Sequence, residues 1–178
     1  MAASRALMPT LTAALAVIPK PLPLNIELKR RSVPATDLVR AVLAAVDGRS
    51  QVLVSSFDWE ALEIARSLAP DLALAPLSPP SPRRLAATDL TGDLFAAADA
   101  VGAFSLHCSR SMVDAAFIRR ARARGYERLL AYTVNDREQA AEMFRGGLAG
   151  IFTDVPSMMV ESFHPGRPGR PEHRAPSR

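Results

Sequence analysis

Residues 51–77 read QVLVSSFDWEALEIARSLAPDLALAPL, with a short apolar run on either side of an amphipathic stretch. The runs at 51–55 and 72–77 are rich in Val and Leu, which is typical of strands buried on both faces. Between them, residues 58–68 repeat apolar side chains at helical spacing, and Asp58 occupies the N-cap position. This segment therefore predicts a strand, a helix and a second strand of a parallel α/β sheet.

The same alternation continues towards both ends of the chain. Further strands are predicted at 24–28, 100–106, 128–134 and 150–153. Further helices are predicted at 11–17, 33–46, 93–98, 111–124 and 135–145. Thr10, Ser111 and Asn135 are the predicted N-caps of the first, fourth and fifth of these helices. The strand-to-strand spacing of about 20 to 30 residues suits successive βα units of a barrel or an open wound sheet. We expect one domain of this kind over residues 1–160.

The composition excludes several classes of protein. Hydrophobic residues make up 48% of the 178 residues, which argues against a wholly disordered chain. No apolar run approaches the roughly 20 residues that cross a bilayer, so a transmembrane protein is not expected. The single cysteine, Cys108, cannot form an internal disulfide, and no Cys/His cluster has the spacing of a structural zinc site.

Most of the net charge of +4 comes from the end of the chain. Residues 164–178 hold four Arg and one Glu among repeated Pro and Gly, which predicts a disordered basic tail. The rest of the chain is nearly neutral, so no nucleic-acid partner is expected. Near the start, Pro9 interrupts the apolar segment after Arg5, and Pro19 and Pro21 follow it. This pattern favours a short helix in a cytoplasmic protein over a signal peptide.

Glu27 and Lys29 are the polar pair at the end of the first predicted strand. Period-two spacing puts both side chains on one face, so in a barrel both would point the same way. An ionised Glu inside a barrel is costly unless it meets a cation or a metal. Three interpretations stay open: a metal ligand beside a phosphate-binding lysine, an ion pair at the strand end, and a Schiff-base lysine. The last is disfavoured, because Glu27 should keep the amine protonated.

Two further residues end the fourth predicted strand. His107 has the chemistry of a proton-transfer residue or a ligand, but a lone His is more often a hydrogen-bonded polar contact. Cys108 has no motif around it, and we expect a small buried residue.

Five segments occur in an order that identifies a family: MPTL (8–11), LNIELK (24–29), VLVSSFDWEALEIARSLAPDLALAPL (52–77), GYERLLAYTVND (125–136) and GLAGIFTDVP (147–156). Together they resemble the glycerophosphodiester phosphodiesterase family over about residues 8–158. The resemblance implies a TIM-type β/α barrel related to the phosphatidylinositol-specific phospholipases. It also implies hydrolysis of glycerophosphodiesters to sn-glycerol 3-phosphate and an alcohol, with a bound divalent cation, Mg²⁺ or Ca²⁺.

The resemblance also assigns roles to four residues. Glu27 matches the metal-binding Glu of the family's ExK motif, and Lys29 matches the lysine beside it, near the phosphate. Phe57 and Tyr132 fall where the family lines its glycerol pocket, and Tyr132 stands in place of the usual Trp of a WTxN motif.

The family's first two strands carry a His-Arg-Gly motif, a Glu-x-Asp pair and a His-Asp motif, and none of these occurs among the 178 residues. Those motifs supply both catalytic histidines and two metal-binding carboxylates, and His107 lies on the wrong strand to replace either histidine. The resemblance thus implies six of eight barrel strands, from a true start upstream or from a truncated relative. We expect a weak cation site and little or no catalysis; the alternative is a non-catalytic α/β binding module that keeps part of a phosphate site. Sheet edges near Ile26 and Ile151 also predict self-association.

Overall fold

A computed structural model describes residues 8–78 and 90–163, in which parallel strands alternate with helices. The strands are β1 (Leu24–Leu28), β2 (Val52–Ser56), β3 (Ala73–Pro76), β4 (Leu106–Ser109), β5 (Leu129–Tyr132) and β6 (Gly150–Ile151). The helices are α1 (Leu11–Val17), α2 (Ala35–Ala45), α3 (Trp59–Leu68), α4 (Leu90–Val101), α5 (Ala115–Ala123), α6 (Arg137–Arg145) and α7 (Pro156–Phe163). None of the helices in the described ranges is long and apolar enough to span a membrane. The predicted basic tail, residues 164–178, lies outside these ranges.

The strands lie side by side in chain order, as two three-stranded parallel sheets, β1-β2-β3 and β4-β5-β6. Residues 77 and 78, which follow β3, join the two sheets through His107 of β4. Leu77 forms a parallel bridge with His107, and the Ser78 N–H donates to the His107 carbonyl at 2.9 Å. Six parallel strands in sequence order, each followed by a helix, are the predicted arrangement of an incomplete β/α barrel.

The two faces of the strands have different surroundings, because successive side chains point in opposite directions. On β1 and β2, Leu28 and Val54 pack into an apolar cluster with Val39 of α2 and Leu62 of α3. A second cluster joins β4 and β5 to α4, α5 and α6, and it includes Leu106, Cys108, Leu129, Phe95 and Phe117. Cys108 is fully buried, as expected, and burial raises the pKa of its thiol to about 12. The alternate side chains, which include those of Glu27 and Ser55, therefore face the concave side.

The strand predicted at 100–106 is wrong. Helix α4 continues to Val101, Gly102 follows with a φ of 54°, and the strand begins only at Leu106. Residues 94–101 are rich in Ala, which favours a helix, and the buried residues Leu94, Ala98 and Val101 recur at helical spacing. The same shift carries β4 on to Ser109, so His107 lies inside the strand rather than at its end.

Two of the predicted N-caps are also wrong. Asp114 caps α5 by accepting from the Phe117 N–H at 2.6 Å, and residues 110–112 form a short 3₁₀ turn in place of the helix start expected at Ser111. Asp136 caps α6 in place of Asn135. A carboxylate placed next to the first turn also interacts favourably with the helix dipole. The caps predicted at Thr10 and Asp58 are confirmed.

Candidate active site

The carboxyl ends of the strands surround a cavity of about 300 Å³. Its lining includes all four site residues predicted from the sequence: Glu27, Lys29, Phe57 and Tyr132. The other lining residues are Asn25, Leu77, Thr133 and Phe152. In parallel α/β proteins, ligands bind at this end of the strands. The structure therefore brings the four residues together in the expected place, while their individual roles stay predictions.

The two carboxylate oxygens of Glu27 have different surroundings. Oε2 lies 3.3 Å from Nζ of Lys29, whose side chain is 73% exposed. Oε1 is buried and has no hydrogen-bond partner among the described residues. An ion pair with an exposed lysine is worth about 0–1 kcal/mol, whereas a desolvated oxygen without a partner costs about 1–3 kcal/mol or more. The strand-end ion pair predicted as one alternative is present, but it involves Oε2 and does not offset the cost of burying Oε1.

Oε1 of Glu27 has the chemistry of a ligand for a hard cation, since Mg²⁺ and Ca²⁺ bind carboxylate oxygens. Glu27 is aligned with Ser55 on the neighbouring strand, and Oγ of Ser55 is a second buried atom without a described partner. Within residues 8–78 and 90–163, however, no group of three or more His, Cys, Asp or Glu side chains could hold a metal ion. The described residues therefore fit one carboxylate ligand of a cation site.

Residues next to the cavity hold the ends of β1 and β2 in place. The Ser56 hydroxyl donates to the Leu28 carbonyl at 2.9 Å and accepts from the Asp58 N–H at 2.9 Å. Asp58 also caps α3 and forms an ion pair with Arg30, Nε to Oδ2 at 2.7 Å. Arg30 reaches Glu60 as well, at 3.2 Å. Arg30 thus faces two carboxylates and does not line the cavity, whereas Lys29, the residue directly after β1, does.

Phe57 and Tyr132 form an aromatic wall on the cavity. Their ring centroids are 5.9 Å apart with an interplanar angle of 86°, which is the favoured edge-to-face arrangement. Phe57 is 43% exposed, and Tyr132 is half-buried. Burial raises the pKa of Tyr132 to about 12, against a smaller lowering by its hydrogen bond to Ser78. The phenol is therefore protonated, and able to donate, throughout the neutral pH range.

His107 does not line this cavity. It is buried within β4, where Nε2 lies 3.1 Å from Oγ of Ser105 and Nδ1 has no described partner. Its ring packs edge-on against Phe152, with centroids 4.8 Å apart. Burial lowers the pKa of His107 to about 4, so the imidazole is neutral at pH 7. The histidine lines instead a second space of about 730 Å³ towards the amino ends of the strands, which shares only Asn25 and Phe152 with the first. This position favours the polar-contact interpretation.

The polar residues that follow β5 and β6 bond to each other. Oδ1 of Asn135 accepts from the Thr153 hydroxyl at 3.1 Å and from the Asp154 N–H at 2.8 Å. Nδ2 of Asn135 donates to Oδ2 of Asp154 at 2.9 Å. The TVND and FTDVP segments therefore join two neighbouring strand ends, which is a structural role.

Sequence reasoning missed Ser78 and Ser109 near the cavity. The Ser109 N–H donates to Oγ of Ser78 at 2.8 Å, and Ser78 also contacts the Tyr132 hydroxyl. Ser78 comes soon after β3, and Ser109 is the last residue of β4. A polar residue at the carboxyl end of a strand is the sequence signal that could have identified both as site residues.

Comparison with known proteins gives a consistent result. The sequence profile of the Glycerophosphoryl diester phosphodiesterase family matches residues 3–158. The structure of an Oleispira antarctica phosphodiesterase in complex with the product sn-glycerol-3-phosphate is 26% identical, with a TM-score of 0.73, over 86% of this chain and 60% of that one. A candidate glycerophosphoryl diester phosphodiesterase from Silicibacter pomeroyi is 27% identical, with a TM-score of 0.66, over 79% and 50% of the two chains. Comparison with curated proteins gives no match.

A glycerophosphodiester phosphodiesterase from Parabacteroides distasonis, 21% identical with a TM-score of 0.63 over 85% of this chain and 60% of that one, supports the fold alone. The matched part of the Oleispira and Parabacteroides chains is 60% of their length, and that of the Silicibacter chain is 50%. The incomplete β/α barrel is thus confirmed as the fold. Since the profile covers nearly all of the sequence before the tail, this chain belongs to the Glycerophosphoryl diester phosphodiesterase family.

Proposed function

We propose that this chain provides the phosphate- and glycerol-binding part of a glycerophosphodiester phosphodiesterase site. The reaction of such a site is the hydrolysis of a glycerophosphodiester to sn-glycerol 3-phosphate and an alcohol. One observation carries the proposal: Glu27, whose buried Oε1 has no partner among the described residues, and Lys29 line one cavity with the Phe57–Tyr132 wall. Charge for a phosphate and an apolar wall for a carbon skeleton therefore lie side by side.

Each lining residue has a defined task in this proposal. The ammonium of Lys29 contacts a non-bridging phosphate oxygen, because its side chain is largely exposed and a ligand in the cavity can reach it. Glu27 binds a divalent cation through Oε1, and such a cation, Mg²⁺ or Ca²⁺, offsets charge on the phosphate oxygens when it is bound. The edge-to-face pair Phe57 and Tyr132 packs against the carbon atoms of the glycerol moiety.

Proton transfer is the part that the cavity does not supply. Hydrolysis of a phosphodiester needs a group that deprotonates the attacking water and a group that protonates the leaving oxygen. The cavity lining contains no histidine. His107 is buried in another space, and its pKa is far below neutrality. We therefore expect ligand binding with negligible turnover for the 178-residue chain by itself.

A second candidate function, from another class, is a non-catalytic α/β binding module that keeps part of a phosphate site. The absence of histidine from the cavity lining favours it. Both functions predict that sn-glycerol 3-phosphate binds; they differ in whether added catalytic groups restore turnover. Supplying the family's HRG, ExD and HD segments by fusion upstream of the chain separates them, because only an enzyme site would gain activity. The cytoplasmic location and the absence of a nucleic-acid partner remain predictions.

The binding proposal is tested by calorimetric titration of sn-glycerol 3-phosphate into the chain and two lysine variants. Lys29→Met removes the cavity's ammonium but keeps an unbranched side chain of similar length. Lys20→Met is the matched control, because Lys20 is exposed in the turn before β1, at the opposite end of that strand. We expect Lys29→Met to weaken binding about tenfold, as for loss of one charge-assisted contact, and Lys20→Met to leave it unchanged. Equal affinity in all three proteins would contradict the phosphate role of Lys29.

A further inference from the structure

The hydroxyl of Tyr132 is attached to a segment that lies two strands away. It donates a hydrogen bond to the main-chain carbonyl of Ser78, and Oγ of Ser78 lies 3.4 Å from the same hydroxyl. Tyr132 ends β5, whereas Ser78 follows β3, so the contact crosses over the end of β4. A side chain of the cavity wall is therefore held at both its ends, by its own strand and by this distant carbonyl.

The acceptor segment, residues 77–78, is itself held in place from several directions. The Ser78 N–H donates to the His107 carbonyl at 2.9 Å, and Oγ of Ser78 accepts from the Ser109 N–H at 2.8 Å. The Leu77 carbonyl accepts from Nε1 of Trp59 at 3.1 Å. Ser78 is also fully buried. The Tyr132 hydroxyl is thus attached to a rigid point rather than to a loop that could follow it.

We propose that this hydrogen bond is a positioning device: it fixes the Tyr132 ring edge-on to Phe57 and so makes the wall selective for the glycerol part of a ligand. Tyr132 and the residue 77–78 segment act together, the ring as the contact surface and the segment as its support. The inference rests on the proposed function, because it concerns how that same cavity discriminates between ligands. Phe at this position would keep the ring and lose the donor.

The physical basis is the conformational entropy of the Tyr132 side chain, which forms part of the cavity wall. A ring that can rotate must be ordered when the ligand packs against it, and ordering one side chain lowers affinity by about two- to twelvefold. A ring that is already ordered by its hydroxyl does not have this cost. The effect is confined to ligands that touch the ring, so it separates sn-glycerol 3-phosphate from inorganic phosphate. Because burial keeps the phenol protonated, the donor is present across the neutral pH range.

The ligand test compares two tyrosine variants by calorimetry. Tyr132→Phe removes only the hydroxyl, and we expect a three- to tenfold loss of affinity for sn-glycerol 3-phosphate, about the net effect of one hydrogen bond. Affinity for inorganic phosphate should be unchanged, since phosphate contacts Lys29 rather than the ring. Tyr126→Phe is the matched control. Its hydroxyl donates to Oδ1 of Asp99 at 2.5 Å, away from the cavity lining, and neither affinity should change.

A second readout needs no ligand. Trp59 is the only tryptophan in the sequence, and its indole N–H holds the same segment that supports Tyr132. Because bonds from His107, Ser109 and Trp59 hold residues 77–78 without Tyr132, the fluorescence anisotropy of Trp59 should stay unchanged in Tyr132→Phe. The ring of Tyr132→Phe should nevertheless flip faster than the wild-type ring, as measured by NMR line shapes of the aromatic protons at position 132. Tyr126→Phe should change neither quantity.

These measurements distinguish failure of the inference from failure of the proposed function. An equal ring-flip rate at position 132 in the wild type and in Tyr132→Phe overturns the positioning role, whatever the ligand data show. Equal affinity of the wild type and Tyr132→Phe for sn-glycerol 3-phosphate overturns the selectivity. If the wild-type chain does not bind sn-glycerol 3-phosphate at all, the proposed function and the selectivity both fall, and the ring-flip rate alone decides whether the segment fixes the ring.

Discussion

Oε2 of Glu27 lies 3.3 Å from Nζ of Lys29, while Oε1 of the same carboxylate is buried without a described partner. One side chain thus contains an ordinary surface ion pair and an atom whose desolvation nothing described offsets. A residue selected only to stabilise the strand end would not need the buried oxygen. The proposed cation would account for this asymmetry: it would give Oε1 the partner that the described residues lack, and the neighbouring ammonium balances the carboxylate charge when no cation is bound.

The stability of Glu27→Gln separates these two interpretations without any ligand. In the presence of a chelator, we expect the variant to be as stable as the wild type or more stable by up to about 1 kcal/mol, because an amide is cheaper to bury than a carboxylate. Urea unfolding measures this difference. A loss of more than about 1 kcal/mol would mean that the ion pair is structural. Asp47→Asn, at an exposed position outside the cavity, is the control for removing one negative charge.

Turnover should be negligible for the chain as it stands. General acid and base groups typically contribute about 10²- to 10⁴-fold each, and the cavity lining has no histidine to supply either. The measurement is release of sn-glycerol 3-phosphate from glycerophosphocholine with excess Mg²⁺ or Ca²⁺. A rate within tenfold of a full-length family member would be incompatible with this account.

His107 predicts a specific dependence of stability on pH. Its pKa is about 4 in the folded chain, against about 6.5 for an unperturbed His, so the unfolded state binds more protons between these values. Stability is therefore full above pH 6.5 and falls as the pH decreases towards 4. Between pH 7.5 and 5.5 the histidine should account for a loss of about 1 kcal/mol, measured by urea unfolding. His107→Gln should abolish this part of the loss; an identical pH dependence in the variant would show that other groups cause it.

The open sheet edges predict self-association. β1 and β6 are the outermost strands of the two described sheets, and each pairs on one side only in the described ranges. Parallel edges that lack a neighbour are templates for pairing with another chain. We expect the mean mass in sedimentation velocity to rise with protein concentration. A single monomeric species at all concentrations, with a cooperative thermal transition, would be the contrary result.

Much of the fold was predictable because its signals are local. The apolar runs that became β1, β2, β3, β5 and β6 are bounded by turn residues, and Asp58 is a correctly predicted cap. The predicted strand at 100–106 failed because this apolar run spans the end of a helix, α4, then the turn at Gly102, and only the first residue of a strand, β4. Short apolar runs do not distinguish helix from strand by periodicity alone.

The candidate site was predictable only in part, because some of its contacts join residues that are far apart in the sequence. Glu27, Lys29, Phe57 and Tyr132 each sit in a recognisable motif, and strand order then brings them into one cavity. The contact between Tyr132 and Ser78 spans 54 residues of sequence. It depends on which strands become neighbours and on where β4 ends, and β4 was the strand whose bounds were mispredicted.

The central claim is that Glu27 and Lys29 form the cation and phosphate part of a glycerophosphodiester site. The most direct test is calorimetric titration of sn-glycerol 3-phosphate into the wild type and Glu27→Gln, each with Mg²⁺, with Ca²⁺ and with chelator. We predict that a cation tightens binding to the wild type and that Glu27→Gln loses this dependence while retaining the weaker, cation-free binding through Lys29. Equal cation dependence in the two proteins, or no binding by the wild type under any of these conditions, would contradict the account.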